Sequence, residues 1–235
     1  HLLKGRPAEL ERLFQRLMDH YRAGYIDLHP DREMTTTFSV SLRQPSVAYS
    51  LDKRIDLLQD LIERYELTKE EQYKPSYLLF DLIIGDLKHR NKSIDPETAK
   101  ECDADPYEAD SRKAVALLDK MHSLGIVPNS LDRPFVFNAA MEMVLSCRNK
   151  HMHFKVVMDL KKQMMDLHIQ PNINTVISQL LACQLATLGG QQRAFWGLTN
   201  MLVALTEART LGKADAIIYM TCFKAIQANK DVDPK

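Results

Sequence analysis

Residues 113–129 read KAVALLDKMHSLGIVPN, and this stretch decides the fold. Within it, Val115, Leu118, Met121 and His122 fall near one face. Those are the three-and-four spacings of a helix with one buried stripe. Pro128 then stops the helix, because proline lacks an N–H and clashes with the preceding turn. The same phrase recurs along the chain. Residues 154–167, FKVVMDLKKQMMDL, carry Val157, Leu160 and Met164 ahead of Pro171. Residues 55–65 carry Ile55, Leu58, Ile62 and Tyr65 ahead of Pro75, and residues 10–21 carry Leu10, Leu13, Leu17 and Tyr21 ahead of Pro30. Four prolines therefore punctuate the chain between amphipathic helices. Leu118, Met121, Leu160 and Met164 are expected to lie buried between neighbouring hairpins.

A second apolar segment follows each mark: YLLFDLIIGDL at 77–87, FVFNAAMEMVL at 135–145, NTVISQLLACQLATL at 174–188 and IIYMTCFKAI at 217–226. Alone, the first of these also suits a buried strand. Its recurrence at the same place in each unit favours helix. No strand alternation is sustained, and no Asn-Gly or Asp-Gly hairpin turn occurs. Aligned on these clusters, Ser39, Asp81, Asn138, Ile177 and Met220 take equivalent places, at steps of 42, 57, 39 and 43 residues. Periodicity of this length signals helical pairs that bury their faces on one another. The expectation is an all-α chain, a right-handed α-solenoid of antiparallel helical hairpins forming one domain over 1–235. Its units lie near 1–31, 32–76, 77–129, 130–172 and 173–213, with a partial unit at 214–235. The long step holds an acidic insertion at 91–111, with Asp95, Glu97, Glu101, Asp103, Asp105, Glu108 and Asp110. It reads as a solvated loop, exposed and dispensable for folding.

Composition bounds the function. Lys+Arg and Asp+Glu both number 31 among 235 residues, which excludes a uniformly basic nucleic-acid binder but not a local basic surface. No run of about 18 apolar residues exists to span a membrane. The chain begins at His1 and is expected to be part of a longer protein. Its four cysteines, Cys102, Cys147, Cys183 and Cys222, form no Cys-x-x-Cys pair, which argues against a zinc or redox centre. His151-x-His153 would not share a helical face, so no metal site is expected there. No Gly-rich phosphate loop and no Gly-x-Ser-x-Gly elbow is present. The expectation is no enzyme, no cofactor and no metal.

The repeated phrase resembles the second helix and closing turn of a pentatricopeptide repeat, through Ala114, Leu117, Met121, Gly125, Ile126, Pro128 and Asn129. Residues 155–172 repeat it with Met164, Ile169, Pro171 and Asn172, and His168 stands where the family usually has Gly. Phe137-Asn138 matches the aromatic-Asn step of the first helix. The resemblance covers most of 10–229 and is best in the two central units. Tetratricopeptide repeats are the nearest rival, but their Trp and small-residue pattern is absent; the single Trp is Trp196.

The resemblance implies single-stranded RNA binding at about one base per repeat, in a mitochondrion or plastid. Two side chains per repeat would select the base. Carried over, the pairs are Ser39 with Ser76, Asp81 with Asn129, and Asn138 with Asn172; Ile177 is a further first-helix position. Asn donates and accepts at a base edge, whereas Asp81 and Ile177 depart from the usual Asn, Thr or Ser. Asn129 and Asn172 also suit plain turn chemistry after Pro. Bases exceed acids by six to four over 129–171 and again over 172–235, so Lys161 and Lys162 are candidate phosphate contacts. Two functions stay open: an organellar RNA-binding factor in processing, stability or translation, and a protein-interaction scaffold such as a structural subunit of a mitochondrial ribosome or another large assembly.

Overall fold

The computed structural model describes residue 16 and residues 51–70, 74–75, 77–127, 134–148, 153–187, 191–211 and 216–228. Ser39, Ser76 and Asn129 lie outside these residues, as do Pro30, Pro128 and His151. Among the described residues there are nine helices and no strand. They are α1 (Leu51–Thr68), α2 (Tyr77–Lys92), α3 (Pro96–Glu101), α4 (Glu108–Ser123), α5 (Phe135–Ser146), α6 (His153–Asp166), α7 (Ile173–Thr187), α8 (Gln191–Thr210) and α9 (Ala216–Ala228). The ambiguous segment at 77–87 is helical.

The chain divides into two compact units, His1–Ile83 and Ile84–Lys235, with the division inside α2. In the first, α1 buries Leu58 and Ile62 of the stripe read from the sequence, with Leu61 beside them, while Ile55 and Tyr65 are half-buried. It ends on Lys69 in the left-handed region (φ 58), whose N–H bonds the Tyr65 carbonyl at 2.8 Å.

The second unit carries the repeated hairpins. Each helix from α4 onward packs on its sequence neighbour: α4 on α5, α5 on α6, α6 on α7, α7 on α8 and α8 on α9. Packing also joins next-but-one helices, α4 with α6, α5 with α7 and α7 with α9. The two central helices are accordingly buried nearly all round. In α5 eight of the twelve residues are buried, Phe137, Ala140 and Met141 completely. In α7 Thr175, Val176, Leu180, Ala182 and Cys183 are fully covered. Val176, Leu180 and Cys183 of α7 form one apolar cluster with Met201, Ala204 and Ala208 of α8 and with Ile218 and Cys222 of α9. The outer helices bury one stripe each: Ala114, Leu118 and Met121 of α4, and Val157, Leu160 and Met164 of α6. The four residues expected between hairpins, Leu118, Met121, Leu160 and Met164, are 0%, 0%, 1% and 0% exposed.

The phrase that decided the fold closes both outer helices in the same way. After α4, the Gly125 N–H bonds the His122 carbonyl and the Ile126 N–H bonds the Met121 carbonyl. After α6, the His168 N–H bonds the Met165 carbonyl and the Ile169 N–H bonds the Met164 carbonyl. Each is a paired C-terminal cap turning on one left-handed residue, Gly125 (φ 60) or His168 (φ 58). The apolar residue beyond the turn, Ile126 or Ile169, is buried with the helix it closes.

The acidic insertion meets expectation in part: Asp95, Glu97, Glu101 and Asp103 are exposed, but the segment folds as α3 and the start of α4 and is tied down rather than left as a loop. Asp95 caps α3 by accepting from the N–H groups of Glu97 and Thr98. The Thr98 hydroxyl adds a third bond, and these bonds hold the Asp95 carboxyl below its ordinary value. Asn91, Ala99, Asp110 and Ser111 are buried. Asp110 is paired with Arg90 of α2. Arg148, just past α5, donates to the Ala99 and Cys102 carbonyls, and its backbone N–H bonds the Asp105 carboxylate at 2.6 Å. One arginine thus fastens the segment by its backbone carbonyls, which charge counting cannot foresee. Lys88 and Lys92 of α2 both reach Glu142 of α5, at 2.8 and 3.2 Å. Burial pushes the Glu142 carboxyl up, but the two lysines outweigh it and hold the group below its usual value.

Candidate functional site

The resemblance paired Asn138 with Asn172, and the fold brings them together. Asn138 lies one turn into α5, with Phe137 fully buried beside it. Asn172 is the residue before α7. Its side-chain oxygen accepts from the N–H groups of Asn174 and Thr175 at 3.0 and 3.2 Å, while the Thr175 hydroxyl accepts from the Asn172 N–H at 3.1 Å. That reciprocity is a capping box, spelled by Asn and Thr three residues apart. The Asn138 amide donates to the same Asn172 oxygen at 2.9 Å, and the Thr175 hydroxyl donates to the Asn138 oxygen at 2.8 Å.

These bonds engage the polar groups that the resemblance assigned to a base. Asn138 is 6% exposed and Thr175 is 0% exposed. The Asn138 oxygen and amide each have a protein partner, and the Asn172 oxygen serves three donors. The physical reason is helix-end chemistry: the free N–H groups at the start of α7 need acceptors, and a buried amide needs partners. Thr175 was missed as a member of this cluster, although its spacing from Asn172 signals a capping box.

Lys161, expected as a candidate phosphate contact, is likewise engaged inside the protein. It is 8% exposed, and its ammonium donates to Gln179 of α7 at 2.6 Å and to Glu207 of α8 at 2.5 Å. Nothing in the sequence marks these partners, because Glu207 is 46 residues away. Lys162, its neighbour on α6, is exposed. Ile177 is half-buried and packs against the α7–α8–α9 cluster, so it is a core residue. Asp81 is half-buried on α2.

The second unit also exposes a group of apolar side chains. A groove of about 800 Å³ runs between α6 and α8. Lys161, Lys162, Asp166, Gln179 and Glu207 are among its polar lining, and Met165, Leu202 and Val203 stand over it with 55%, 67% and 55% of their area exposed. Met220 and Phe223 of α9 are exposed as well. Solvated apolar side chains gathered along adjoining helices mark interaction surfaces in soluble proteins. Among the described residues no group of three or more His, Cys, Asp or Glu stands together to hold a metal ion, and no helix is long and apolar enough to cross a membrane. His153 is buried at the start of α6. Comparison with protein-family models, with curated proteins and with solved structures returned no match.

Proposed function

We propose that this chain is a helical-repeat interaction scaffold, a structural component of a larger assembly, rather than a base-by-base reader of RNA or an enzyme. One observation carries the reading. The side chains that would read a base or hold a phosphate, Asn138, Asn172 and Lys161, are engaged with Thr175, Gln179 and Glu207 inside the protein. Beside them the groove exposes the apolar Met165, Leu202 and Val203, with Lys162 and Asp166 at the same lining. First- and second-neighbour packing is how helical-hairpin arrays build long surfaces for partner proteins. On this reading the hairpins stack as a right-handed solenoid.

Single-stranded RNA binding of the pentatricopeptide type, in a mitochondrion or plastid, is the second reading. It is favoured by the register: Asn138 and Asn172, 34 residues apart, meet at 2.9 Å as a pair of base selectors would have to. Lys162 is the candidate phosphate contact that stays exposed.

Leu202→Lys with Val203→Lys, and separately Lys162→Ala, separate the two. Both variants change exposed side chains, so helicity by circular dichroism is expected to match the parent. On gradients of lysate from cells producing the protein, the scaffold reading expects the double variant to leave the heavy fractions. Filter binding to a random single-stranded RNA pool at two salt concentrations is expected to show no sequence enrichment. Sequence-selective RNA retained by the double variant and weakened by Lys162→Ala would overturn the scaffold reading in favour of RNA.

A further inference from the structure

We draw no further inference here: the strongest candidate, the apolar groove between α6 and α8 above the Lys161–Glu207 pair, belongs to the interaction face already described, and nothing in the structure shows what covers it.

Discussion

Asn172 satisfies the start of α7 and the buried amide of Asn138 with a single side-chain oxygen. A base contact there would first have to break bonds the fold already makes. Asn138→Ala removes that donor and also the acceptor of the buried Thr175 hydroxyl. The hydroxyl keeps only the Asn172 oxygen at 3.3 Å, and losing two buried hydrogen bonds costs about 1–3 kcal/mol, so urea denaturation is expected to show a loss of that size. Unchanged stability would mean that the amide is solvated and available to a ligand. His168 is the opposite case, a residue the sequence marks as out of place. Its φ of 58 suits glycine, and the matching turn after α4 has Gly125 at φ 60. A side chain in the left-handed region costs about 1–2 kcal/mol, part of which glycine returns as unfolded-state entropy. His168→Gly is expected to stabilise the chain by roughly 0.5–1 kcal/mol, read as a higher denaturation midpoint. A lower midpoint would show that the imidazole makes a contact worth more than the strain.

At the level of elements, the insertion separates charge pattern from packing. Seven acids between 91 and 111 read as a solvated loop, yet α3 sits there, capped by Asp95 and tied to the end of α5 by Arg148. The side chain of Arg148→Ala would no longer reach the Ala99 and Cys102 carbonyls, while the backbone bond to Asp105 would remain. Two lost bonds of about 1 kcal/mol each correspond to a melting point lower by roughly 4–8 °C for a chain of this size. An unchanged melting point would restore the solvated-loop view. Helices α4 and α6 show how far local pattern does carry. Their buried stripes and their closing turns follow from Leu118, Met121 and Ile126, and from Leu160, Met164 and Ile169. A three-and-four stripe closed by a left-handed residue and an apolar residue is a complete local instruction.

Across the whole molecule, the cysteines report how the layers open. Cys147, Cys183 and Cys222 are buried and Cys102 is exposed. Burial pushes the Cys147 and Cys222 thiols up, and it pushes Cys183, in the α7–α8–α9 cluster, up to about 12. At pH 8 Cys183 is both covered and protonated, and only the thiolate alkylates. Native-state labelling followed by mass spectrometry is expected to modify Cys102 at once, with Cys183 protected until the cluster opens. Early labelling of Cys183 would show that α7 and α9 part easily. By itself the sequence determined the helical class, the positions of the longer helices α1, α2, α4, α5, α6, α7 and α9, and the centre of the buried stripes of α4 and α6. Periodicity and proline punctuation are local, and each helix carries its own copy of the signal. It also gave the register that brings Asn138 to Asn172. Only the tertiary structure decided what those residues do, because a polar side chain's role depends on which partners arrive from elsewhere in the chain. Thr175 comes to Asn138, Glu207 to Lys161, and Ala99, Cys102 and Asp105 to Arg148. In the first two, buried donors and acceptors find partners that no single segment can supply alone.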